Sequence, residues 1–166
     1  TAMFEKYTLE LWNRKIPLIA SQESPSVETY KYILSFTGFD DWGTHRIFGR
    51  HFADKLKSTG GYAIIGHQEG SGHDEARCYG FASEINVYAP DLKLLEIKPS
   101  NLDYDKTYQM TNDWIDRHGD NLKGLFIADS LEPVKAAIKA CDDKNRQDMI
   151  VYTTGVNKYS IEMTIK

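Results

Sequence analysis

Five short apolar runs, each separated from the next by an amphipathic stretch of helical length, constrain this chain more than any other feature. The runs are Tyr62-Ala63-Ile64-Ile65-Gly66, Leu92 to Ile97, Gly124-Leu125-Phe126-Ile127-Ala128, Met149-Ile150-Val151-Tyr152 and, upstream, Tyr32-Ile33-Leu34-Ser35-Phe36. Between them apolar residues recur at three- and four-residue spacing, the period of one helix face. Ile47, Phe48, Phe52 and Leu56 form one such stripe, Cys78, Phe81, Ala82 and Ile85 a second. Tyr104, Tyr108, Thr111, Trp114 and Ile115 form a third, and Leu131, Val134, Ile138 and Cys141 a fourth. Strands joined through helices are parallel neighbours, and near-continuous apolar strands are covered on both faces. The expected fold is therefore α/β, a mostly parallel sheet with helices on both faces.

Gly60-Gly61 reads as the stop of the helix before the first long strand, and Gly119 as the stop of the third helix. At the start, Phe4, Tyr7, Leu11 and Trp12 predict a helix over residues 3–15, followed by a strand at 16–20. The polar stretch 21–29 then leads to the apolar run at 32–36 with no helix between. So short a link does not reach a parallel neighbour. Either the two strands are antiparallel, or the chain leaves one sheet for another at residues 21–31; the second is the preferred expectation. The segment 157–166 reads as the start of a further helix.

Composition narrows the function. The 166 residues include 41% hydrophobic and 27% charged residues with a net charge of −4. No dense Lys/Arg stripe marks a nucleic-acid surface, so direct nucleic-acid contact by this segment is not expected. No apolar run approaches the roughly 18 residues of a membrane span. Cys78 and Cys141 are too few for a disulfide framework and fall on apolar helix faces, where buried thiols are expected. The sequence carries no nucleophile elbow and no phosphate loop of the G-x-x-x-x-G-K-[ST] type, and no enzyme activity is expected. His67, Glu69, His73 and Asp74 crowd one loop and imitate metal ligands, but no further His or Cys converges on them. No cofactor, catalytic residue or metal is assigned.

In open α/β sheets ligands sit beyond the carboxyl ends of the strands, where helix N-termini offer unpaired N–H groups. Segments 37–40, 66–77, 98–100, 129–130 and 153–155 lie at that edge, with Phe39, Trp42 and Tyr79 nearby. A polar rim with aromatic plates suits a sugar or another polar small molecule. The same residues also fit plainer roles, Asp129 or Ser130 capping one helix and Asp40 another.

Five segments in order resemble the type I periplasmic-binding-protein fold, which comprises ribose- and galactose-binding-like solute receptors and LacI-type effector domains. They are Asn13 to Ile19; Phe36 to Gly43 with its helix to Leu56; Gly61 to Gly66 with Glu75 to Phe81; Gly124 to Ser130 with Val134 to Ala140; and Asp148 to Tyr152. The resemblance implies a piece of a two-lobed protein: residues 1–20 closing the first lobe, 21–31 a hinge crossing, and 32–166 a second lobe truncated at its C-terminus. It implies a solute-binding protein of an ABC-type sugar transport system, periplasmic or extracellular, with a membrane permease or sensor as partner. The alternative it leaves is the effector domain of a LacI-type regulator or of a periplasmic sensor. Carried over by position, Arg77 matches the family's ligand-contacting arginine, and Asp129 falls where Asn is frequent. Thr154 stands where sugar binders often place Asp, a departure from the pattern. Phe39, Asp40 and Trp42 lie on the crossing loop that reaches the cleft. The plainer alternative for Arg77 is a surface pair with Asp74, three residues back on its own helix.

Overall fold

The computed structural model describes residues 2–22, 28–69, 71–129 and 132–155, with Lys158 and Ile161. Four strands make the main sheet: β3 (Gly60–Gly66), β4 (Leu92–Pro99), β5 (Leu122–Ile127) and β6 (Ile150–Thr153). All pairings are parallel, in the order β4-β3-β5-β6. The central strands β3 and β5 are buried almost throughout, the edge strands only in part. That is why the central runs read as continuous apolar stretches.

Helices α2 (Asp41–Lys55) and α3 (Gly72–Tyr88) cover one face. Their core holds Phe52, Phe81, Ile85, Tyr62, Ile64 and Phe126. Phe81 stacks on Phe126 with ring centroids 4.0 Å apart and planes 9° from parallel. Helices α4 (Tyr104–His118) and α5 (Glu132–Asp143) cover the other face, around Trp114, Ile115, Leu125, Ile127, Val134 and Ala137. Three layers, helix–sheet–helix, result as expected. Both cysteines are buried, one in each core, and burial pushes the Cys141 thiol up to about 11 and that of Cys78 further.

Helices α2 and α3 run side by side because two glycines let them touch. A Cβ on Gly49 would come within 2.8 Å of the Phe81 carbonyl oxygen, and one on Gly80 within 2.8 Å of that of Trp42. Below this contact Glu84, 3% exposed, accepts the Nε–H groups of Arg46 and Arg50, each at 2.5 Å. The two guanidinium groups hold its carboxyl below the usual range.

The N-terminal part corrects three expectations. Helix α1 spans Ala2–Asn13; β1 is Ile19–Ser21 and β2 is Ser35–Thr37. These strands pair with each other, in parallel, in a separate two-stranded sheet. They are neither antiparallel nor split between two sheets. The apolar run at 32–36 is not one strand: Tyr30–Tyr32 forms a 3₁₀ turn, and strand pairing begins only at Ser35. The connection thus reaches from Gln22 to Leu34, the dozen or more residues a parallel return requires.

Second, α2 does not end on Gly60-Gly61. It ends at Lys55, and Lys57 and Ser58 take the left-handed turn with φ of 55° and 56°. The glycines open β3 instead, where a Cβ on Gly61 would meet Leu95 at 2.4 Å and the Asn121 carbonyl oxygen at 2.9 Å. Third, Ile47 is 58% exposed and lies off the buried stripe, which His45, Gly49, Phe52 and Ala53 supply. Gly119 does end α4, at φ 51°. Of the expected helix over 157–166 only Lys158 and Ile161 are described, both helical; the Leu131 position and the side chain of Phe4 lie outside the described residues. No helix among the described residues is long and apolar enough to cross a membrane.

Candidate functional site

The strand order fixes where a ligand crevice lies. The chain moves from β3 outward to β4, then returns past β3 to β5 and continues to β6 on the other side. Helix α3 leaves β3 toward one face, and α5 leaves β5 toward the other. Beyond the carboxyl ends of β3 and β5 the chain therefore parts, and a crevice opens at this switch point. The first turns of α2 and α3 stand beside it. Asp40 caps α2, its Oδ1 accepting the Gly43 N–H at 2.8 Å, and Ser71 caps α3.

Arg77, in the second turn of α3, spans this crevice. Its Nε–H donates to Asp41 Oδ1 at 3.0 Å, and its Nη1 donates to the Ala128 carbonyl oxygen, at the end of β5, at 3.2 Å. Nη2 has no hydrogen-bond partner among the described residues. The side chain is 21% exposed. It does not pair with Asp74: that carboxylate is buried and accepts the His67 N–H at 2.8 Å, with the Cys78 thiol alongside. The plainer role of Arg77 as an i, i+3 surface partner is therefore replaced by a bridge between three elements.

Asp41 was not singled out by the sequence, and it is the hub. Its Oδ2 lies 2.5 Å from His73 Nδ1, a close contact without hydrogen-bond alignment. Its carbonyl oxygen accepts from Nδ1 of His45 at 2.6 Å. A carbonyl only accepts, so His45 Nδ1 carries the proton and Nε2 of the neutral ring is an acceptor. His45 is 2% exposed and Nε2 has no partner among the described residues. Burial lowers its pKa, opposed by the bond to the Asp41 carbonyl. An Asp directly after a capping Asp reads as ordinary first-turn acid, which is why Asp41 escaped notice. His73 was visible only as part of the crowded polar loop. The structure gives that loop other tasks, and no group of three or more metal-ligating side chains gathers among the described residues.

The remaining expected residues divide. Asp129, half-buried, follows β5 directly after Ala128, and its carbonyl oxygen accepts the Thr153 hydroxyl. Thr154, also half-buried, follows β6 and donates its N–H to the Ile127 carbonyl oxygen at 3.3 Å. Both thus stand at the same sheet edge as Arg77. Phe39 is 71% exposed on the segment between β2 and α2. Trp42 instead lines, with Tyr79 and Leu94, a groove of about 370 Å³ running down the β4 side of α3. A smaller pocket of about 200 Å³ lies over the ends of β3 and β4, lined by Asp74, Glu75, Tyr79 and Lys98. Ser130 lies outside the described residues.

A parallel sheet with helices on both faces, and charged side chains at its switch point, defines a three-layer α/β domain. The family described as the periplasmic binding protein domain matches residues 13–165, and the chain belongs to it. No curated protein matches the sequence. Among solved structures, an ABC transporter solute-binding protein from Agrobacterium vitis with bound D-fucose superposes with a TM-score of 0.85 at 18% identity, over 96% of this chain and 54% of that one. The binding protein of the arabinose ABC transporter from Shewanella sp. ANA-3 gives 0.84 at 18% identity, over 98% and 55%. The fructose-binding periplasmic domain of a hybrid two-component system gives 0.77 at 18% identity, over 89% and 47%. The chain spans about half the length of these relatives, and at such identity they establish the type I periplasmic-binding fold.

Proposed function

We propose that this chain is part of a sugar receptor of an ABC-type transport system, binding a neutral sugar or similar polyol between two lobes and performing no chemistry on it. The supporting observation is Arg77: held at two points, it keeps one guanidinium nitrogen unpartnered among the described residues at the switch point of a periplasmic-binding-family sheet. A planar fork of donors suits ring and hydroxyl oxygens, and Asp129 and Thr154 stand where they complete the polar rim. In this reading residues up to Thr37, with their own small sheet, belong to the first lobe. Residues 38–40 form the crossing, and α2 onward builds the second lobe. This moves the crossing downstream of residues 21–31, because β2 pairs with β1. Closure of the lobes about such crossings would trap the ligand. The receptor would act outside the cytoplasmic membrane and hand its sugar to a permease.

A second reading, the input domain of a sensor, is supported by the likeness to the periplasmic domain of a two-component system. Thermal-shift and calorimetric titration of the full-length protein with D-fucose, L-arabinose, D-fructose, D-glucose and D-galactose tests binding, since a ligand of the folded form raises Tm by mass action. A shift with one sugar, lost in Arg77→Ala, supports a receptor; no shift with any of them overturns it. Uptake of the labelled sugar in a deletion strain then separates transport from sensing.

A further inference from the structure

Arg77 is not free to choose its orientation, and the group that fixes it lies 36 residues away. We infer that Asp41 positions Arg77 and, by cancelling its charge, sets the site to accept uncharged polyols over sugar acids. This rests on the sugar-receptor reading above.

Both oxygens of the Asp41 carboxylate are engaged, Oδ1 by Arg77 and Oδ2 by His73, and its side chain is only 13% exposed. Its main chain is pinned as well, through the carbonyl contact with His45. The carboxylate plane is therefore set by α2 and α3 together. A guanidinium tied at Nε and Nη1 has lost its rotamer freedom before a ligand arrives, so Nη2 binds without that cost. Asp41 is also the first residue of α2, directly after segment 38–40, so the same contact joins the arginine to the end of the proposed crossing.

The charge balance carries the second half. One arginine faces Asp41 at ion-pair distance, and Asp40 and Asp129 lie within a few residues along the rim. A carboxylate ligand brought to Arg77 would compete with Asp41 for the one guanidinium and be repelled by the Asp41 charge itself. An uncharged hydroxyl meets neither penalty. Specificity of this kind comes from the repulsive element as much as from the attractive one.

The test has two arms on the full-length protein. The first needs no ligand: the Arg77 Nε–H resonance, assigned by its loss in Arg77→Lys, is followed in 15N-labelled protein. It is expected to be sharp and slow to exchange with water, and to broaden or exchange at least tenfold faster in Asp41→Ala. An Nε–H as fast as that of exposed arginines, or one unaffected by Asp41→Ala, overturns the positioning role whether or not any sugar binds. The second compares D-galactose with D-galacturonate, and D-glucose with D-glucuronate, by calorimetry. Wild type is expected to prefer the neutral member of a pair that binds. Asp41→Asn keeps an oxygen acceptor for Nε and removes the charge, and is expected to shift the preference toward the acid by tenfold or more. Asp41→Ala in an Arg77→Ala background is expected to add nothing further. A wild-type preference for the acid, an unchanged ratio in Asp41→Asn, or additive losses would overturn the inference. Absence of all sugar binding with a protected Nε–H would count against the receptor reading alone.

Discussion

Arg77 donates from Nη1 to the carbonyl oxygen of Ala128, the residue that follows β5, at 3.2 Å. One side chain from the helix after β3 thereby closes on the neighbouring strand at the point where strand order reverses. Geometry of this kind belongs to guanidinium groups. A lysine presents a single ammonium and does not span Asp41, Ala128 and a ligand at once. Arg77→Lys is therefore expected to lose nearly as much sugar affinity as Arg77→Ala. The loss should be on the order of 10- to 100-fold, corresponding to about 1.5–3 kcal/mol for a hydrogen bond to a charged group. Calorimetry with the best-bound sugar checks it; near-wild-type affinity in Arg77→Lys would show that charge alone suffices.

Gly80 sets how close the two site-bearing helices come. Alanine there gains up to about 1 kcal/mol of helix propensity. Its Cβ would stand 2.8 Å from a backbone oxygen of Trp42, which no side-chain rotation relieves. Overpacking of this sort costs about 1–3 kcal/mol, so Gly80→Ala is expected to be net destabilising by about 1 kcal/mol in urea unfolding. Because the displaced segment is the first turn of α2, sugar affinity should fall as well. Unchanged stability would mean that the helices slide apart freely.

His45 predicts an acid-side loss of stability. Burial lowers its folded-state pKa below 6.5, so the unfolded chain binds the proton more readily than the folded one. Its contribution is fully present above pH 6.5, falls as pH drops below that value, and levels off below the folded pKa. His45→Asn keeps a donor toward the Asp41 carbonyl and removes the titration. Unfolding free energy measured from pH 7.5 to 5 should therefore fall less steeply in His45→Asn than in wild type. Equal slopes would sink the assignment.

Much of this architecture was readable from periodicity, and the failures have physical causes. The central strands announce themselves because both faces are buried and polar residues are excluded. Trp114 and Ile115 fall on the buried face of α4 as their spacing requires. Tyr32-Ile33-Leu34 reads as a strand from its apolar run, but Tyr32 closes a 3₁₀ turn and Ile33, although extended, precedes the paired residues; hydrophobicity does not report pairing. Lys57 and Ser58 took left-handed conformations usually left to glycine, and no sequence signal marks them. At the site, Arg77, Asp129 and Thr154 come to one edge because strand ends are legible. Asp41 does not announce itself, since its importance lies in contact with a helix 36 residues away, and His45 does not because its partner is a main-chain carbonyl one turn back.

Arg146 lies at the opposite edge of the sheet, and there stability and binding should separate. It is 9% exposed, donates from Nη1 to the Gly119 carbonyl oxygen and from Nη2 to that of Leu122, each at 2.8 Å, and pairs with Asp148 at 2.8 and 3.0 Å. Gly119 is exposed, so water can replace its partner, whereas Leu122 is fully buried. Arg146→Met would leave the Leu122 carbonyl unpaired at a cost of about 1–3 kcal/mol. Asp148→Asn should cost far less, because that carboxylate is 52% exposed and surface pairs contribute about 0–1 kcal/mol. Both changes sit at the start of β5, away from the carboxyl-end crevice. Urea unfolding should therefore rank Arg146→Met well below Asp148→Asn, while sugar affinity at saturating fold stays at the wild-type value. A drop in affinity without unfolding would place the ligand at the wrong end of the sheet and undo the site assigned to Arg77.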